Sequence, residues 1–297
     1  MQTYFECLPC LLRQTVDAAK MVTDSPEIQE KILRYVLAEM SRMDMSEPSP
    51  YMAQVIYRYI RKITQVDDPY REIKKEFNGL ALAMLPEMRS IVQNAEDPFE
   101  TAVKIAVAGN IIDFGPKGDI SHQEVRDTVQ DCINQPLVFN SSDELKREIH
   151  KRSRILYLGD NAGEIVFDYL LLELMPTEKI SYVVKGQPII NDATMEDAVE
   201  IGMTDLVRVI DNGSDAPGTI LKSCSPEFLK EFEQADLIIA KGQANYETLS
   251  QVNDKNIFFL LKVKCPVLAE DVGCERGDLV LKFLQAQQNT DWKPAKN

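Results

Sequence analysis

Residues 154–167 read RILYLGDNAGEIVF. An almost wholly apolar run stops at Gly159. Asp160, Asn161, the small Ala162 and Gly163, and Glu164 follow before the chain turns apolar again. A short β-rich run, a tight polar turn and a renewed apolar stretch read as strand, turn and helix. The same grammar recurs in ISYVV (180–184), LVRVI (206–210) and DLIIA (236–240), with helical patterns between these runs, and NIFFLL (256–261) adds a fifth. Strands apolar on both faces and alternating with helices imply a parallel sheet covered on two sides. The expected fold class is α/β: a doubly wound, mainly parallel sheet with helices on both faces, occupying residues 151–297.

Working back from that unit, residues 1–150 read as a helical region, with a sub-boundary near residue 96. CLLRQTVDAAKMV, IQEKILRYVLAEM and MAQVIYRYIRKI space their apolar residues three and four apart. Thr23-Asp24-Ser25-Pro26 and Asn94-Ala95-Glu96-Asp97-Pro98 open helices, and Ser46-Glu47-Pro48-Ser49-Pro50 separates a pair. REIKKEFNGLALAMLPEMRSIVQ reads as a long helix that Pro86 kinks or ends.

Composition narrows the chemistry. The 297 residues carry 47 acids against 33 bases, a net charge of −14, which argues against nucleic-acid partners that bind through their phosphates. No apolar stretch reaches the length of a membrane span, and the start, MQTYFECLPCLLRQ, lacks a basic region before its apolar residues, so a cytoplasmic protein is expected. There are two histidines, His122 and His150, and neither sits in a triad or zinc-protease pattern. Carboxylates, amides, lysines or a metal must therefore carry any catalysis. Six cysteines are too dispersed for a disulfide scaffold. Cys7 and Cys10 form one CLPC, readable either as half of a zinc site or as two thiols one helical turn apart.

In doubly wound sheets, ligands bind beyond the carboxyl ends of the strands. Those ends hold Gly159-Asp160-Asn161-Ala162-Gly163-Glu164, Lys185-Gly186-Gln187 running to Asn191-Asp192, Asp211-Asn212-Gly213-Ser214, and Lys241-Gly242-Gln243 running to Asn245-Tyr246-Glu247. Each has a structural explanation. Asn161 with Glu164 resembles a capping box, Asp192 or Thr194 suits a helix cap, and Lys185 and Lys241 suit solvated strand ends. Together they suit a hard divalent cation. Asp160, Asn161 and Asp192 offer two carboxylates and an amide on sharp turns, in the manner of octahedral Mg²⁺ or Mn²⁺ sites. Glu164, one turn on, is placed to cap backbone N–H groups or orient a metal-bound water. Ala162 and Gly163 leave room for phosphate at the N-terminus of the next helix, with Lys185 and Lys241 balancing its charge. Neither a Walker loop nor the DxDx[TV] of haloacid-dehalogenase phosphatases is present.

GDNAGE, KGQPIINDAT, AKGQANYE and AGNIIDF, with the N-terminal CLPCLLRQ and the late KCPV, resemble the metal-dependent damage-control phosphatases, and most closely their prokaryotic CxxC-containing subfamily. The likeness runs from Cys7 to about Cys265. It implies hydrolysis of small phosphorylated metabolites, such as sugar phosphates or damaged phosphometabolites, with a divalent metal (Mg²⁺, Mn²⁺, Co²⁺ or Ni²⁺). On the family pattern Asp160, Asn161 and Asp192 are the metal ligands. Lys241, Asn245 and Glu247 lie on the phosphate and substrate side, together with Asn110 and Asp113 from the helical half. Thiolates are the wrong ligands for a hard cation, which sets Cys7 and Cys10 apart from that centre, free to meet Cys265 in a redox or metal cluster.

Two rival readings stand beside the phosphatase. An adenosylmethionine-dependent carboxyl methyltransferase would need a Gly-rich first turn and an acid ending the second strand, where Lys185 stands here. A metal- or sugar-phosphate-binding protein without turnover would need only the binding groups.

Overall fold

The apolar runs become the strands of one seven-stranded sheet: β1 (Leu137–Val138), β2 (Ile155–Leu158), β3 (Ile180–Val184), β4 (Arg208–Asp211), β5 (Leu237–Lys241), β6 (Ile257–Lys262) and β7 (Leu279–Leu284). The computed structural model describes residues 1–109 and 122–287. The spatial order is β1-β7-β6-β5-β2-β3-β4, and every pairing is parallel except that of β6 with β7. From β2 the chain steps outward through β3 and β4, then returns and steps the other way through β5 and β6. The direction reverses between β2 and β5, which is where a doubly wound sheet opens its binding crevice.

Thirteen helices lie among the described residues. They are α1 (Cys7–Val22), α2 (Pro26–Met40), α3 (Ser49–Thr64), α4 (Arg71–Asn94), α5 (Pro98–Ala108), α6 (His122–Asn134), α7 (Ser142–Lys151), α8 (Glu164–Leu172), α9 (Met195–Glu200), α10 (Met203–Leu206), α11 (Pro226–Gln234), α12 (Gln243–Leu249) and α13 (Pro266–Val272). None is long and apolar enough to cross a membrane. Ser25 and Asp97 accept backbone N–H groups at the starts of α2 and α5, each with a proline in the first helical position.

Alternation along the buried strands divides the core. Ile155, Tyr157, Leu237 and Ile239 join the cluster under α4–α8, whereas Leu156, Leu158, Ile238 and Ala240 join the one under α11–α13. A third cluster knits α1, α2 and α3 together and takes in Ile189 from the loop after β3. Each large apolar side chain so buried contributes about 1.5–3 kcal/mol.

Three details depart from the sequence expectation. Pro86 neither ends nor divides α4, which runs from Arg71 to Asn94. Pro86 lies on the solvent-exposed face of the helix, while Met84, Leu85 and Met88 remain buried. The sheet takes β1 from within the stretch read as helical, two residues being too few to carry a period. LVRVI divides, with Leu206 closing α10 and the strand starting at Arg208.

Candidate active site

The loops after β2 and β3 are zipped together by their backbones. Ala162 N–H donates to Asn191 O at 2.9 Å, Ala193 N–H donates to Asp160 O at 2.8 Å, and Asn161 and Asp192 pair as an antiparallel bridge. Asp192 is thereby brought from the next strand's loop to the adjacent pair Asp160 and Asn161, at one corner of the reversal point. Asp160 and Asp192 are buried and Asn161 is half-buried. The cap of α9 falls to Thr194, whose N–H donates to Asp197 Oδ2 at 2.8 Å, leaving Asp192 without that structural duty. Ile190 holds a left-handed φ of 45°, a strained conformation for a β-branched residue, two positions before Asp192.

Polar partners fix the donor set. Asn161 Nδ2 donates to Asp160 Oδ2 at 3.1 Å and to Glu164 Oε2 at 3.0 Å. With its amino end held between two carboxylates, its amide oxygen is the atom left to present. Lys185 lies 3.3 Å from Asp192 Oδ2 and donates to Gly218 O. The Asp192 contact is an ion pair off the hydrogen-bonding direction, so this buried oxygen accepts no hydrogen bond. Burial pushes the Asp160 carboxyl far above the usual range, Glu164 and Asp192 add to the push, and Lys185 and Lys264 oppose it. Asp192 rises to about 6, chiefly through burial and against the pull of Lys185. Crowded, desolvated acids of this kind favour a cation among them.

Below this corner lies a closed polar column. Lys241 is fully buried and donates to Ala106 O at 2.9 Å, Glu164 Oε1 at 2.7 Å and Asp168 Oδ1 at 2.6 Å. Tyr157 and Tyr182 donate their hydroxyls to Asp168 at 2.8 and 2.7 Å. Gly159 makes this possible, because a Cβ there would lie 2.5 Å from the Tyr182 hydroxyl. Where the sequence sets Lys241 against phosphate, the structure sets its ammonium beneath the turn, with all three N–H groups engaged. Burial would lower its pKa, but Asp168 and Glu164 outweigh that and raise it.

The amides after Asn161 are also occupied. Besides the Ala162 bond to Asn191, Gly163 N–H donates to Asn78 Oδ1 of α4 at 2.7 Å. Gly163 has φ 75°, which glycine adopts without strain. The expected opening for phosphate at these two N–H groups is therefore closed.

Asn245 is fully buried, donating to Lys241 O at 2.7 Å and accepting from Thr219 Oγ1 at 2.8 Å. Glu247 accepts from Ser49 Oγ at 2.6 Å and Gln243 Nε2 at 2.9 Å. Both stand as wall residues with protein partners. Asn110 and Asp113 lie outside the described residues.

Two residues escaped the sequence reading. Asp168 stands four residues after Glu164 in the apolar run EIVFDYLLL, and an acid repeated at helical spacing on a buried helix was its signal. Lys264, exposed just beyond β6, reaches Asp160 electrostatically; it also lies past a strand end, which was the clue.

Among the described residues no three His, Cys, Asp or Glu side chains converge as a complete cage. The set here pairs two carboxylates with an amide, leaving other positions to water and substrate oxygens, as Mg²⁺ sites commonly do. The Asp192 oxygen, which meets Lys185 only as an ion pair, and the all-oxygen donors fit such an ion.

Comparison with known proteins agrees with this architecture. The family model for the damage-control phosphatase ARMT1-like domain matches residues 3–280. A damage-control phosphatase of Archaeoglobus fulgidus is 38% identical over 285 residues, covering 94% of this chain and 98% of that protein. One from Pyrococcus horikoshii is 34% identical, covering 94% and 97%. The crystal structure of a DUF89 family protein from Pyrococcus horikoshii superposes with a TM-score of 0.87 at 34% identity, covering 96% of this chain and all of that one. With these matches spanning nearly its whole length, the chain belongs to the damage-control phosphatase ARMT1-like domain family.

Proposed function

We propose that this protein is a divalent-metal-dependent phosphatase acting on small phosphomonoesters, such as sugar phosphates or damaged phosphometabolites. One observation carries the reading: Asp160 and Asp192, both buried, are brought together at the sheet's reversal point with an Asp192 oxygen that accepts no hydrogen bond. Relatives named damage-control phosphatases support the reaction class.

Asp160, Asn161 and Asp192 would hold Mg²⁺ or a similar ion. When bound, such an ion supplies Lewis-acid polarisation of a phosphoryl oxygen and neutralises its charge. The chain's own residues do the rest. Glu164, anchored by Lys241, keeps the Asn161 amide turned the right way. Lys185 fixes Asp192, and exposed Lys264 draws the anionic substrate toward a corner whose carboxylates would otherwise repel it.

A panel of sugar phosphates and nucleotides, assayed with chelator and with each of Mg²⁺, Mn²⁺, Co²⁺ and Ni²⁺, tests the proposal. The expected result is phosphate release that requires added metal. Methyl transfer from adenosylmethionine without phosphate release, or phosphate-ester binding without turnover under every metal, would replace it with one of the rival readings.

A further inference from the structure

Three thiols from opposite ends of the chain share one corner of the fold, beside Glu247. Cys7 and Cys10 open α1, with Pro9 in the first turn, where a missing N–H costs nothing. The Met1 ammonium donates to Glu247 O at 2.6 Å and to Ser250 Oγ at 3.1 Å, laying the N-terminal arm on α12. Gln243, which starts α12, donates to Glu247 at 2.9 Å and has its amide nitrogen 4.0 Å from Cys265 Sγ. Tyr4, whose carbonyl accepts the Cys7 N–H at 3.0 Å, packs against the same apolar cluster as Cys265. The three sulfurs and the Glu247 carboxylate lie within electrostatic reach of one another.

The pairing follows from geometry. Residues three apart in an α-helix have Cα atoms about 5 Å apart, inside the window of about 4.4–6.8 Å that a disulfide requires. Cys265 is engaged elsewhere, its sulfur accepting the Leu268 N–H at 3.4 Å as the cap of α13. Cys10 is exposed and Cys7 half-exposed, so both are open to solution. A bridge enclosing only Leu8 and Pro9 would constrain the unfolded chain little, which argues against a purely stabilising role.

We propose that Cys7 and Cys10 are a redox-active dithiol that exchanges with small disulfide compounds. Cys10 thiolate attacks the disulfide R–S–S–R, forming Cys10–S–S–R and releasing one thiolate. Cys7 thiolate then attacks the Cys10 sulfur and expels the second. Two electrons pass from the protein to the co-reactant, and the two protein protons end on two molecules of RSH. Burial first, then Glu247, pushes the Cys10 thiol up, and the thiols of Cys7 and Cys265 are raised chiefly by burial as well. A reduced pair so little stabilised as thiolate makes a stable disulfide.

The test is to equilibrate the native protein in buffers of graded oxidised-to-reduced glutathione ratio, alkylate the remaining thiols and map peptides by mass spectrometry. The expected result is an intramolecular Cys7–Cys10 bridge that appears with increasing oxidised fraction while Cys132, buried in the core with its thiol raised to about 11, stays alkylatable after unfolding. Cys265→Ser should leave the bridge intact, and Cys7→Ser should convert it to a glutathione adduct on Cys10. Six free thiols throughout, or bridges made to Cys265 instead, would overturn the assignment.

Discussion

Lys241 is the residue at which charge and packing are most tightly joined. Its ammonium lies between Glu164 and Asp168, and all three side chains are fully buried. Lys241→Met would leave two buried carboxylates facing each other, a loss on the order of 3–5 kcal/mol. Denaturant unfolding should show that loss, and the double variant Lys241→Met, Glu164→Gln should recover part of it, because one of the two neighbouring buried charges is then gone. A single variant as stable as the wild type would mean that the column does not form. Lys264 is the opposite case, an exposed lysine whose charge reaches Asp160 without a fixed partner. Lys264→Ala should raise KM roughly tenfold, about 1.4 kcal/mol, with unchanged melting and a smaller effect at high salt. Equal KM values at low salt would remove Lys264 from the substrate's path.

At the scale of elements, α3 clamps the loop after β4. Gln54, Arg58 and Arg61 all donate to Asp215, at 2.5–2.7 Å, and Arg61 also donates to Pro188 O on the loop that carries Asp192. Burial alone would raise the Asp215 carboxyl, but hydrogen bonds from Arg58 and Gln54 and the charges of both arginines outweigh it and hold the pKa below normal. A depressed carboxyl stabilises the fold above its unfolded value of about 3.9, and that contribution fades as pH falls through the lower folded value. Asp215→Asn should therefore cost on the order of 1–3 kcal/mol at neutral pH, a figure discounted because Arg58 is more than half exposed. Stability measured against pH should show wild type and variant converging as the pH falls through the depressed folded value. A gap that persists unchanged at low pH would mean that the clamp is not electrostatic.

Across the whole molecule, legibility tracks the range of the interactions. The parallel sheet could be read because β2, and β5 and β6 up to their final lysines, are continuously apolar, a signal contained within each strand. The two-residue β1 has no such signal, and β7 joins the sheet through pairing with β6. The polar turns after β2 and β3 could likewise be read, since strand ends need little polarity beyond turn chemistry. What surrounds them could not. Lys241 read as a strand-end charge facing substrate phosphate, and nothing local reveals that Tyr157, Tyr182 and Asp168 close over it. The Asp215 clamp joins residues 154 to 161 positions apart, beyond any periodicity.

In the proposed mechanism Asp160, Asn161 and Asp192 hold a divalent ion on which phosphatase action depends. Mn²⁺ titration by electron paramagnetic resonance, on wild type, Asp160→Asn and Asp192→Asn, tests it most directly when paired with hydrolysis of one phosphomonoester by the same samples. The expected result is one tight Mn²⁺ site in the wild type, its loss in both variants with melting temperatures preserved, and a fall in turnover of more than about 100-fold. Folded variants that bind Mn²⁺ and hydrolyse the ester as the wild type does would contradict it.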